Sequence, residues 1–97
     1  MSGQSRERPT ESAQDALVSR YIEVPTDAGP GGARLVDYGV DVWVLVVYFQ
    51  HAAERNAATV AQAYQIPIEA VRVAIAYYNQ HRKIIDAVIK INLGFAA

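Results

Sequence analysis

The side chains best placed to do chemistry in this sequence are ones that recognise another molecule. Thr59, Gln62, Gln65, Glu69 and Arg72 follow one another at spacings of three and four, the interval at which helix residues share a face. Arg binds guanine or phosphate through two parallel donors, Gln and Thr hydrogen-bond base edges or phosphate, and Glu accepts from cytosine, so the set suits a nucleic-acid contact. Arg34 adds a basic group upstream, although Asp37 close behind it mixes the local charge. Bond-breaking chemistry finds no comparable set. Glu54 lies three residues after His51, but neither His51 nor His81 has a third ligand nearby in sequence, so no metal site is expected. The stretch Gly29-Pro30-Gly31-Gly32 lacks the Lys and the following helix of a phosphate-binding loop, and no serine stands in a nucleophile elbow. Neither an enzyme activity nor a cofactor is expected. Asp86, alone among apolar residues, reads as a helix-surface neighbour of Lys83 or Lys90.

Positioning Thr59 to Arg72 requires a helix, a tight turn and a second helix. Asn56 is a good N-cap for a helix over about 57–65, and Pro67 suits the first turn of the next, whose N-terminus Glu69 favours through the dipole. Val60, Ile66 and Val71 would form the shared core, with small Ala61 and Ala63 where the helices approach. The second helix is expected to run over about 67–92. Val71, Ile75, Tyr78, Ile85 and Ile89 form its core-facing stripe, while Arg72, Asn79, Arg82, Lys83, Asp86 and Lys90 form its polar face. Towards its end Ile84, Val88 and Ile91 add a second apolar side, followed by Leu93 and Phe95. One chain would not cover both sides, so Ile84, Ile85, Val88, Ile89, Ile91, Leu93 and Phe95 are expected to meet a second copy or another partner.

Upstream, residues 1–13 are polar and charged, too poor in apolar side chains to order themselves, and the reading extends this mobile arm to residue 19. Arg20 to Pro25 alternates as a short strand, the run from Thr26 to Gly32 is rich in turn formers, and Ala33 to Tyr38 would be the return strand of a hairpin over 20–39. Local rules conflict over Val40 to Ala53. Its valines and aromatics favour strand, whereas its length and Asp41 in the N-cap position favour a helix over about 41–53. Its aromatics, with Tyr64, Tyr77 and Tyr78, read as core and interface anchors, since they are not interleaved with Lys or Arg.

The totals bound these readings. With 97 residues there is room for one core, placed in residues 20–97, and 52% hydrophobic composition is high for so short a chain. A formal net charge of −1 provides no global attraction for nucleic acid, so any such contact must be local. Absence of cysteine removes disulfides and thiolate sites. The charged start is unlike a signal peptide, and the longest apolar run, Val42 to Phe49, is far short of the roughly 20 residues a membrane helix needs. A cytoplasmic protein that spans no membrane is expected.

An ordered series of motifs then adds a resemblance. Tyr21-Ile-Glu-Val, Val40-Asp-Val-Trp-x-x-Val-Val-Tyr, Thr59-Val-Ala-x-x-Tyr, Ile68-Glu-Ala-Val-Arg and Ala74-x-Ala-Tyr-Tyr together resemble the domain-of-unknown-function 433 family of small, antitoxin-like helix-turn-helix proteins. The resemblance resolves Val40 to Ala53 in favour of helix. It implies a mainly α fold: an N-terminal β-hairpin, then a three-helix homeodomain-like helix-turn-helix bundle with a long C-terminal helix. It further implies an antitoxin-like DNA-binding regulator that acts as an oligomer on its own promoter and binds a PIN-like nuclease toxin. The alternative is an oligomeric interaction or scaffold module of the same fold that binds no DNA. Where the family carries Gly-Thr-Arg before its first helix, this chain has Gly32-Ala33-Arg34, keeping the basic group and losing the hydroxyl.

Overall fold

The structure, a computed structural model, describes residues 16–94. Among them the fold is mainly helical with one small antiparallel sheet. A short helix α1 over 16–21 leads into strand β1, Ile22–Glu23, and β2, Arg34–Leu35, returns beside it. The register pairs Ile22 with Leu35 and Glu23 with Arg34. Alternation therefore turns the apolar pair inward, where both are buried, and leaves the charged pair outside. The expected hairpin is present but shorter than 20–39. Arg20 and Tyr21 close α1, and residues 36–38 already turn towards the next helix. Of the expected mobile arm, residues 1–15 lie outside the described residues, whereas 16–19 are helical and Leu17 and Val18 pack on the core.

Four longer helices follow: α2, Val42–His51; α3, Ala57–Tyr64; α4, Ile68–Gln80; and α5, Arg82–Leu93. α2 is a helix despite its valines because Val42, Leu45 and Val46, at i, i+3 and i+4, insert together into the core. Tertiary burial here outweighs a β preference whose scale spans only about 1 kcal/mol. Glu54 and Arg55, both at positive φ, turn the chain out of α2. Asn56 then starts α3 by accepting hydrogen bonds from the backbone N–H groups of Ala58 at 2.9 Å and Thr59 at 3.2 Å. Gln65 ends α3 in the left-handed conformation, with φ 57° and ψ 48°, and Pro67 caps α4 with extended backbone.

The helix expected to be continuous over 67–92 is two helices. At His81, φ −126° and ψ 37° leave the helical region, and its N–H reaches back to the carbonyls of Tyr77 and Tyr78. Three contacts hold the break. The Tyr77 and His81 rings lie 4.4 Å apart, the Tyr78 hydroxyl donates to Asp86 across it at 2.8 Å, and the Gln50 amide from α2 donates to the same hydroxyl at 3.5 Å. Asp86 thus takes a tyrosine as its hydrogen-bond partner, where Lys83 or Lys90 was expected.

The break lets α5 fold back over α2 and the 3-10 turn Gly29–Gly32. Ile85 and Ile89 are consequently buried in the chain's own core, 1% and 6% exposed, and are not available as interface residues. Half-buried Val88 covers the turn, in contact range of Gly31, with Ile84 beside it. Of the expected interface set, Ile84, Ile91 and Leu93 are exposed, and Phe95 lies outside the described residues. Leu35, Leu45, Val60, Val71 and Ile85 fill the centre, and no buried residue in the described chain is charged.

Candidate functional site

The unit built from α3, the turn at 65–67 and α4 is held from within. Val60 and Ala61 on α3, Ile66 in the turn, and Ala70, Val71 and Ala74 on α4 are all buried, and α4 also packs along α2. The opposite side of the unit faces solvent. Thr59 and Gln62 share one face of α3, Gln65 projects from the turn, and Glu69 and Arg72 stand one turn apart on α4, all exposed. Five of the six residues selected for nucleic-acid contact are thereby brought onto one unit. Arg34 stands elsewhere. It lies on β2 with its guanidinium 3.7 Å from Glu23, both side chains about half exposed, so its charge is locally matched.

The two charged residues on α4 differ in their surroundings. Glu69 accepts a hydrogen bond from the Tyr21 hydroxyl at 3.0 Å, across 48 residues of sequence. The bond and the burial of the ring raise the Tyr21 pKa above its ordinary 10.0, so at neutral pH the phenol stays protonated and donating. Glu69 is therefore occupied as the clasp for α1. Arg72 has no ion pair among the described residues. It borders an apolar groove of about 290 Å³ between α1 and α4, formed with Leu17, Val18, Val73 and Ala76. The sequence signal for this clasp is absent, because Tyr21 and Glu69 approach only when β1 lays α1 against α4.

A second surface gathers three of the aromatics read from the sequence as core and interface anchors, Trp43, Tyr48 and Tyr64. On the outside of α2, Trp43, Val44, Val47 and Tyr48 form an apolar groove of about 370 Å³ with Tyr64 and Leu93. Tyr48 and Tyr64 meet edge to face, with ring centroids 5.4 Å apart. The signal was in the sequence: α2 carries no charged residue from Val42 to Gln50, and its polar residues Gln50 and His51 stand only at its end. At the break between α4 and α5, Arg82 lies 5.3 Å from the centroid of the Tyr78 ring and donates to Asn79 at 2.9 Å. His81 is half-buried against Tyr77 and His51 is exposed, and among the described residues no three His, Asp or Glu side chains gather as metal ligands would.

No helix among the described residues is long and apolar enough to cross a membrane. No family model, curated protein or solved structure matches the chain.

Proposed function

We propose that this protein is a cytoplasmic, antitoxin-like regulator that acts by binding, with the homeodomain-like arrangement implied by the family resemblance. In this reading an oligomer presents the α3–turn–α4 unit to operator DNA and engages a PIN-like nuclease as its protein partner. The observation that carries it is that Thr59, Gln62, Gln65 and Arg72 are all exposed on that unit, Arg72 with no ion pair among the described residues. Arg72 supplies the charge, and the neutral side chains supply hydrogen bonds.

A second reading, an interaction or scaffold module without DNA, is favoured by one feature. The Tyr21–Glu69 clasp sets α1 beside the face that would enter a groove, and it places a carboxylate there. The two readings separate in binding titrations with the protein's own promoter DNA at several salt concentrations, with and without the neighbouring gene product. Under the regulator reading Arg72→Ala weakens binding by about 1–3 kcal/mol if it reads a base, or lowers the salt slope by about one if it meets phosphate. Wild-type protein that fails to bind near physiological salt, alone or with that partner, leaves the scaffold reading in place.

A further inference from the structure

We infer that the break at His81 is an exchange hinge, at which α4 and α5 straighten into one helix and α5 takes the place of its counterpart on a second copy of this chain. The sequence suits either arrangement. Val71, Ile75, Tyr78, Ile85 and Ile89 keep helical spacing through the break, and no glycine or proline lies between Tyr77 and Asp86. A single residue, His81, separates Gln80 at the end of α4 from Arg82 at the start of α5. Among the described residues the N–H groups of Arg82, Lys83 and Ile84 make no backbone bond across the break. A straight helix gives those three donors the carbonyls of Tyr78, Asn79 and Gln80. The junction also lies at the surface. Asn79, Gln80, Arg82, Lys83 and Ile84 are all exposed, so straightening withdraws none of these five from the core.

What α5 buries selects its partner. Ile85 and Ile89, 1% and 6% exposed, are covered where α5 packs on α2 and the Gly29–Gly32 turn, and Val88 lies over Gly31. A straightened α5 carries these side chains out of their own bundle, and their apolar area must then be covered elsewhere. The vacated seat and the released helix are complementary as they stand, because they already pack together in one chain. A second straightened copy offers both. Two chains therefore exchange α5, and its contacts with α2 and the turn are made again between them. The two forms share this packing and differ at the hinge. The closed form has the Tyr77 and His81 rings 4.4 Å apart and the bond from Tyr78 to Asp86, whereas the exchanged form has the continuous helix. Along that helix Tyr78 and Asp86 stand about 12 Å apart, too far for the bond within one chain. Chain concentration decides between the forms.

The exchange gives the oligomer of the proposed function a definite form, and it stands whether or not DNA is bound. The full chain is refolded from urea at micromolar and at millimolar concentration and the products are separated by size exclusion. A monomer is expected from the dilute sample and a substantial share of dimer from the concentrated one. His81→Ala and His81→Gly both lose the ring contact with Tyr77, and they differ about five-fold in helix propensity at one position. With two hinges in each dimer, the alanine variant is expected to dimerise about 25-fold more tightly than the glycine variant. The chain has no cysteine, so Gly31→Cys with Val88→Cys places its only thiols on the turn and on α5. After oxidation the monomer fraction should close a bond within one chain, and the dimer fraction should run as a covalent dimer under denaturing, non-reducing conditions. A dimer whose bonds lie within each chain is unexchanged, which overturns the inference and leaves an oligomer for the regulator reading. A wild type and a His81→Ala protein that both remain monomeric after concentrated refolding also overturn it, as does a glycine variant that dimerises as tightly as the alanine variant. Promoter titrations on the same samples report the DNA reading separately.

Discussion

Replacing Gly31 by alanine tests how α5 is seated. A Cβ at this position would lie 2.7 Å from Cγ2 of Val88 and 3.4 Å from Cγ2 of Ile84. Carbon atoms in contact prefer about 3.5–4.0 Å, so the first approach is short by roughly 1 Å. Val88 cannot swing aside, because a helical valine is confined almost entirely to one χ1 rotamer. Either α5 or the Gly29–Gly32 turn must move. Overpacking of this kind costs about 1–3 kcal/mol. Alanine also restricts the unfolded chain and returns about 0.4–1 kcal/mol. The expected net loss is about 1–2 kcal/mol, which for a domain of this size lowers Tm by roughly 4–15 °C. Val88→Ala alone removes packing from a half-buried site and costs about 1 kcal/mol. It also removes the atom that clashes, so the double variant should be less destabilised than the sum of the two by at least about 0.5 kcal/mol. Thermal and urea melts followed by circular dichroism provide the four values of the cycle. Additivity of the two changes, or a Gly31→Ala protein as stable as the parent, would refute the seating of α5 on this turn.

Two further outcomes follow from the backbone and from the tyrosines. Gln65 holds φ 57° and ψ 48°, a conformation that costs an L-residue about 1–2 kcal/mol, so Gln65→Gly should stabilise by about 0.5–1 kcal/mol after the entropy lost to glycine; a lower Tm would show that the Gln65 side chain contributes more than its backbone costs. Burial raises the pKa of Tyr64, Tyr77 and Tyr78 above 10.0, in Tyr78 with help from its bond to Asp86. The folded chain thus holds these protons more tightly than the unfolded chain, and that stability is complete below pH 10 and is lost as pH rises through the raised values. Urea midpoints should fall above pH 10, and Tyr78→Phe should be less stable at neutral pH yet decline less steeply in alkali; midpoints that stay level through this range would contradict the assigned burial.

Much of the fold was legible because its signals are local. Asn56 needs only the two N–H groups that follow it, Pro67 needs only its own ring, and the run from Thr26 to Gly32 turns on its own composition. The five polar positions from Thr59 to Arg72 were found together for the same reason, since helical spacing alone places them on one unit. α2 needed more than local rules, because its valines argue for strand until something buries Val42, Leu45 and Val46 on one side.

What the sequence by itself determined is the hairpin and the order of the helices from α2 to α4, with the tight turn between α3 and α4. The break at His81 was not determined in this way. Tyr78, Ile85 and Ile89 continue the same helical stripe through it, and no glycine or proline marks it. That decision belongs to tertiary structure. By folding back, α5 buries Ile85 and Ile89 against α2, which a straight helix would carry away into water. The same step covers Val88 with the glycine turn and leaves Trp43, Val44, Val47 and Tyr48 on the outside of α2 only partly exposed. The clasp between Tyr21 and Glu69, 48 residues apart, was invisible for a related reason. Neither residue has any local preference for the other, and only the packing of β1 against the bundle brings them to 3.0 Å.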